Sequence, residues 1–265
     1  MPQEQYIFDD ASDAPELRRL RMLEAVFDEK TRELLLSSGP LTGRSCLEVG
    51  AGAGSIAGWL SREVGPAGKV TAVDTNARFL GSIERQIEVI EGDFCNASVP
   101  AGSFDLVHAR YVLIHNADAR PLLEAMLRAL KPGGALVLEE PDFSAAAALV
   151  GPEHLKRAVE NIRQAMREMF SSRGMNYAFG GDLPGLIADE FASIVTLQYD
   201  CSVHPGSSQL AEMMRLSTVA LEDKYVQTGC ATATDIARYG EFAQSTDCWG
   251  VYYATVRLLA RKKTH

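Results

Sequence analysis

Cys46-Leu47-Glu48-Val49-Gly50-Ala51-Gly52-Ala53-Gly54-Ser55 is the stretch that decides the fold of this chain. Its first half is apolar enough for a buried strand. Its second half packs three glycines into five residues, after which Ile56-Ala57-Gly58-Trp59-Leu60 begins a helix-like run. A strand, a tight glycine turn and a helix in that order open a parallel sheet, and the missing Cβ atoms let a ligand approach the backbone. Outward from this unit, strand-like and helix-like segments alternate. Strands are predicted at 45–49, 69–73, 87–91, 104–109 and 135–139, with helices at 55–64, 77–83 and 120–130 between them. Such alternation implies an α/β fold, a mostly parallel sheet wrapped by helices.

The flanks read differently. Asp13-Ala14-Pro15-Glu16 has the form of a capped helix start, followed by Leu17, Leu20, Leu23 and Phe27 at helical spacing. A second helix is predicted over 30–37, ended by Gly39-Pro40. Beyond residue 142, long helical runs at 152–170, 208–226 and 234–244 exceed what a minimal sheet needs and suit a lid. A brief helix at 183–188, a strand at 192–199 and a last strand at 251–259 complete the chain. One domain over 1–265 is expected, with a helical cap (1–40), a core (41–142) and a substrate-side region (143–265).

Bulk properties narrow the partners. The 265 residues are 46% apolar and 23% charged, with a net charge of −9. That balance argues against nucleic acid or an anionic membrane, which need a concentrated basic face. The five cysteines are scattered without CxxC spacing, so they read as reduced thiols, with no metal site expected. No run of 18 apolar residues exists and the start is polar, which together point to a soluble cytoplasmic protein.

Three acids give the glycine turn its meaning. Glu48 lies two residues before the first glycine, where a dinucleotide-binding strand is ordinarily apolar; a carboxylate there needs a cationic partner. Asp74 ends the second strand, where it can accept from ribose hydroxyls. Asp93 ends the third, with Phe94 beside it to lie against a base. Acids at three successive strand ends, one of them able to meet an amino-acid ammonium, favour S-adenosylmethionine over a nicotinamide cofactor.

With the later stretches Phe104-Asp105-Leu106-Val107-His108-Ala109-Arg110 and Leu130-Lys131-Pro132-Gly133-Gly134, residues 40–142 resemble a class I S-adenosylmethionine-dependent methyltransferase. The similarity is to the ubiquinone/menaquinone-biosynthesis-like branch, which includes small-molecule methyltransferases of bacterial secondary metabolism. The resemblance implies a Rossmann-like, doubly wound seven-stranded sheet of order 3-2-1-4-5-7-6 with the last strand antiparallel. It also implies that S-adenosylmethionine binds and leaves as S-adenosylhomocysteine. It carries methionine contacts onto Glu48, Gly50, Ala51, Gly52, Gly54, Ser55 and the backbone of Ala109 and Arg110. Ribose contacts fall on Asp74 and Thr75, and adenine contacts on Asp93 and Phe94; Tyr6 would close over the cofactor.

The acceptor side rests on fewer signals. A sulfonium methyl is already electrophilic, so the protein must chiefly orient a nucleophile and remove a proton where one must leave. His115 and Glu140 are the candidate catalytic bases, after the fourth and at the end of the fifth strand. Tyr111, His115, Asp142, Tyr177 and Phe179 are candidate substrate contacts. His108 reads as a core residue, His204 as exposed, and Trp249, Tyr252 and Tyr253 as core. The reading is methyl transfer to a small aromatic or amine-bearing molecule, with a homodimer left open. A nicotinamide-dependent oxidoreductase and a non-catalytic S-adenosylmethionine-binding protein are the rivals; the Gly-x-Gly-x-Gly spacing and Glu48 count against the first.

Overall fold

The computed structural model describes residues 13–80, 87–187 and 192–264. A long helix, α1 (Asp13–Ser37), precedes the first strand, β1 (Ser45–Val49). Then follow α2 (Ser55–Val64), β2 (Lys69–Asp74), β3 (Ile87–Glu91), β4 (Phe104–Arg110), α3 (Arg120–Ala129) and β5 (Leu130–Asp142). The remainder holds β6 (Ala147–Val150), α4 (Glu153–Ser171), α5 (Phe179–Ile187), β7 (Ala192–Asp200), β8 (His204–Pro205), α6 (Gln209–Ala220), α7 (Glu222–Gln227), α8 (Ala233–Gln244), β9 (Trp249–Val251) and β10 (Ala254–Lys262).

Seven strands form one sheet in the order β3-β2-β1-β4-β5-β10-β7. Ranked along the chain within that sheet, this is 3-2-1-4-5-7-6. The final strand, β10, runs antiparallel to both β5 and β7, as expected. Its direction matters for the site: Ala254, the first residue of β10, pairs with Asp142, the last of β5. The residues just before β10 therefore sit on the same carboxyl rim as the ends of β1, β4 and β5.

Several local expectations are corrected. The two predicted N-terminal helices are one 25-residue helix, since Asp28 and Glu29, between them, include neither a Gly nor a Pro to break it. The segment predicted as a helix at 77–83 is a single 3-10 turn at Ala77–Phe79, with 81–83 outside the described residues. The helix at 208–226 is divided at Leu221 into α6 and α7. The last predicted strand is two, and its first part, β9, joins β6 and β8 in a separate three-stranded sheet. Among the described residues, no helix is long and apolar enough to cross a membrane.

α2 buries Ile56, Ala57, Leu60 and Val64 in a cluster with Cys46, Val70, Ala72 and Leu106 of the sheet. α8 packs on both α4 and α6, and α6 also meets α1. Beneath this apolar packing runs a buried polar stripe. Glu139 is fully buried, and its carboxylate accepts from Thr31 Oγ1 at 2.6 Å and Arg257 Nε at 2.8 Å. His108 Nε2 lies 3.4 Å from the same carboxylate. Arg110 donates to Asp28 at 2.9 Å and to Thr31 at 2.7 Å. Arg257 also pairs with Asp200, which Lys30 reaches at 3.0 Å. These bonds tie α1 to β4, β5, β7 and β10 through groups that could not be left unpaired in the interior.

Burial alone would raise the Glu139 pKa, but His108, Arg110 and Thr31 together hold it down to about 2. A carboxylate depressed from its ordinary 4.5 contributes stability that is complete above about pH 4.5 and is lost as pH falls through about 2. The difference corresponds to about 3 kcal/mol. Urea unfolding of Glu139→Gln across pH 2–7 should show lower stability at neutral pH and a flattened acid limb. An acid limb identical to the parent's would refute this role.

Candidate functional site

At the carboxyl rim, β1 delivers the glycine turn. Gly50, Gly52 and Gly54 have φ of 72°, 58° and 84°, the left-handed region that favours glycine. Gly50 is further constrained by space: a Cβ there would lie 2.3 Å from Val112 Cγ2. The turn is pinned to the neighbouring strand. Gly50 donates to the Val73 carbonyl at 2.8 Å, and Gly52 donates to Asp74 Oδ2, also at 2.8 Å. Ser55, the first residue of α2, donates its N–H to Glu24 Oε1 on α1 at 3.2 Å.

The turn opens on a cavity of about 310 Å³. One half is polar, lined by Glu48, Gly50–Gly52, Ser55, Asp74, Thr75, Asp93, Phe94 and Arg110, with α1 laid across it through Glu16, Arg19, Leu20, Leu23 and Glu24. The other part is mostly apolar: Met166 and Phe170 of α4, Met213 and Met214 of α6, Phe143, and three tyrosines, Tyr111, Tyr225 and Tyr253, with His115, Asn116 and Ser217 as its polar members.

Glu48 is 4% exposed, and its Oε2 makes no hydrogen bond among the described residues. His108 leaves Nδ1 3.8 Å from Oε1, beyond hydrogen-bonding reach. Burial raises the Glu48 pKa, opposed by His108 and Arg110. A buried, half-satisfied carboxylate on a cavity wall is arranged to receive a cation. Asp74 accepts from Gly52 and from Asn76, at 2.8 and 2.9 Å, and burial raises its pKa. Each of its oxygens keeps a further lone pair. Asp93 accepts from the Cys95 N–H and Asn96 Nδ2, and Phe94 beside it is 6% exposed.

Of the other expected cofactor residues, Gly54 and Ala109 shape the turn and the strand without lining the cavity. Arg110 does line it, with its guanidinium engaged by Asp28 and Thr31. Tyr6 lies outside the described residues.

His115 faces the cavity, where burial and then Arg19 lower its pKa to about 3, so the imidazole is neutral near pH 7. Glu140 is corrected. It does not line the cavity; fully buried, it accepts from the backbone N–H groups of Val112, Leu113 and Ile114 at 3.1, 2.8 and 3.1 Å. Burial pushes its pKa up to about 8 against those three donors. Its geometry is that of an internal cap. It fixes the 3-10 turn Leu113–His115, next to Tyr111, whose φ of 58° is uncommon for a non-glycine residue.

Asp142, Tyr177 and Phe179 also lie off the cavity. Asp142 accepts from Ser144 and from the Tyr199 hydroxyl. The Tyr177 carbonyl accepts from the Phe143 N–H at 3.0 Å, and Phe179 is core. His108 is the core residue expected, and His204 is half-buried away from the cavity. Tyr253, expected as core alone, is a cavity wall. The signal for it was available: an antiparallel final strand brings its preceding residues to the binding rim. The methionine and phenylalanine wall follows i, i+4 spacing on α4 (Met166, Phe170), which cannot be told from ordinary core in a sequence.

Residues 47–138 match a family model described as a methyltransferase domain. Over 186 residues the chain is 31% identical to the ubiquinone/menaquinone biosynthesis C-methyltransferase UbiE of Pseudomonas fluorescens, covering 67% of this chain and 65% of that one. It is 34% identical over 110 residues to the demethylmenaquinone methyltransferase of Lactococcus lactis, covering 38% of this chain and 44% of that one. The chain thus spans less than two thirds of the length of the first curated relatives it matches. Phosphoethanolamine N-methyltransferase 2 of Haemonchus contortus shares the fold, with a TM-score of 0.60 at 15% identity over 99% of this chain and 61% of that one.

The cap assigned to Glu140 has a direct test. In Glu140→Gln the amide oxygen can replace Oε1, but the NH2 then opposes the Ile114 N–H, donor against donor. Urea unfolding at about pH 9, above the Glu140 pKa of about 8 so that the parent holds a carboxylate, should show a loss of about 1–3 kcal/mol, the cost of a buried unsatisfied donor. An unchanged midpoint would mean that the carboxylate does not hold the turn.

Proposed function

The chain belongs to the class I S-adenosylmethionine-dependent methyltransferases, and from that footing we propose that it methylates an uncharged, predominantly apolar small molecule. The observation that carries the acceptor class is the second half of the cavity. Three methionines, two phenylalanines and three tyrosines surround it, while Glu140 and Asp142 are spent on internal partners elsewhere. An ammonium-bearing acceptor would find no counter-charge from those two acids. An apolar ring system would find adaptable thioether and aromatic contacts.

The residues present fit the cofactor, the test being the orphaned Oε2 of Glu48 on the cavity wall. Glu48 would take the methionine ammonium, Asp74 the ribose hydroxyls, and Asp93 with Phe94 the adenine. Bound there, S-adenosylmethionine supplies an activated methyl group. The protein's part is to hold the acceptor in line, exclude water with α1, α4 and α6, and offer a neutral imidazole at His115 to a departing proton. The pKa of about 3 makes His115 a weak base, which suits an acceptor whose proton becomes acidic as the methyl group arrives.

Two measurements test this. Incubation with methyl-labelled S-adenosylmethionine and a cell extract should place the label in an organic-phase product; tight NAD binding with no S-adenosylhomocysteine binding would overturn the reading. Calorimetry should show Glu48→Gln binding S-adenosylhomocysteine at least about tenfold more weakly, since a charge-assisted bond is replaced by a neutral one. Equal affinity would remove Glu48 from the ammonium site.

A further inference from the structure

The buried polar stripe reaches the cavity at one end, and His108 is the link. Glu48 pairs with His108 across β1 and β4, and Glu139 pairs with Arg110 on β4 and with Arg257 on β10. Residues paired in this way, and residues two apart on one strand, share a face of the sheet. Glu48, His108, Glu139 and Arg257 therefore alternate acid and base across β1, β4, β5 and β10. The His108 ring, fully buried, has a carboxylate on each side: Glu139 Oε1 lies 3.4 Å from Nε2, and Glu48 Oε1 lies 3.8 Å from Nδ1. Nδ1 makes no hydrogen bond among the described residues.

The charges packed around this ring do not balance without it. The interior acids are Asp28, Glu48 and Glu139, with side chains 12%, 6% and 0% exposed. The interior guanidiniums are Arg110 and Arg257, 8% and 2% exposed. Lys30, Arg32 and Asp200 stand at the margin, each more than a third exposed, where water screens them. A proton on His108 supplies the missing positive charge, and an uncompensated buried charge is costly. Burial alone would lower the imidazole pKa, but Glu139 and Glu48 together raise it above the ordinary 6.5.

We infer that His108 is a positioning residue for the cofactor: its imidazolium keeps Glu48 ionised while the site is empty, and it gives up its proton when the methionine ammonium takes over that carboxylate. The inference rests on the proposed pairing of Glu48 with the ammonium. One positive charge then replaces another beside Glu48. The proton leaves His108 for solvent by way of the Glu48 carboxylate, which lines the cavity. Because binding displaces a proton, affinity rises with pH. The rise should approach about tenfold per pH unit just above 6.5 and level off where the empty site has already lost its proton.

Calorimetric titration of the full chain with S-adenosylhomocysteine at about pH 7, in buffers of low and high ionisation enthalpy, counts the protons released. The parent should release between about half a proton and one proton per site, and His108→Gln none. The affinity of His108→Gln should also lose its pH dependence between about pH 6 and 8. A merely structural histidine would alter the thermal midpoint without removing the proton count. Nitrogen NMR of the isotope-labelled parent needs no variant: the His108 ring should read as imidazolium in the free protein and as neutral imidazole at saturation. No proton release by the parent, release undiminished in His108→Gln, or a His108 ring already neutral in the free protein would each overturn the inference. Failure of the parent to bind S-adenosylhomocysteine, or Glu48→Gln binding it as tightly as the parent, would instead strike the reading beneath it, so the two failures are distinguishable.

Discussion

The structure depends on one buried carboxylate. Glu139 has no exposure to solvent, and Thr31, His108 and Arg257 reach it from α1, β4 and β10. A charge in that position is tolerable only if every partner arrives. This requirement fixes register as well as contact. A one-residue slip of β10 would turn Arg257 to the opposite face and leave two charges stranded. With the register fixed, Tyr253 reaches the rim and Glu48 the cavity wall.

The next residue does a different job on the other side of the sheet. Successive strand residues point to opposite faces, and Glu140 uses its position to gather three backbone N–H groups of the turn after β4. That turn brings Val112 against Gly50 and sets Tyr111 and His115 into the cavity. Adjacent glutamates at the end of β5 thus have separate roles. One ties the N-terminal helix to the sheet, and the other joins the glycine turn to the acceptor wall through the segment between them.

Much of this was legible in the chain. The β1–glycine–α2 unit and the strand-end positions of Glu48, Asp74 and Asp93 come from local patterns whose geometry is short-range, whereas the sheet order came from the family resemblance, since pairing between distant strands leaves no local mark. The acceptor side was less so, for physical reasons. Glu140 and Asp142 read as rim acids because the sequence does not reveal which way a strand-end side chain is claimed, and here backbone donors and Tyr199 claim them. Met213 and Met214 look like core because a cavity wall and a core obey the same helical spacing. Tyr253 depended on a long-range fact, the direction of the last strand, combined with a local one. The continuity of α1 was legible in the lack of a breaker at Asp28 and Glu29, but its docking depended on tertiary bonds from Asp28, Lys30 and Thr31 that no propensity records.

The methionine wall has an evolutionary consequence. Met166, Met213 and Met214 belong to α4 and α6, outside the strand set bound by Glu139. Unbranched thioether side chains refill space readily after a neighbour changes size. Drift at these positions can therefore redraw the shape of the acceptor chamber while the ionic ties of the sheet stay untouched. The same methionines belong to the main buried core, so such a change costs packing locally while the charge network that sets the register of the sheet is left in place.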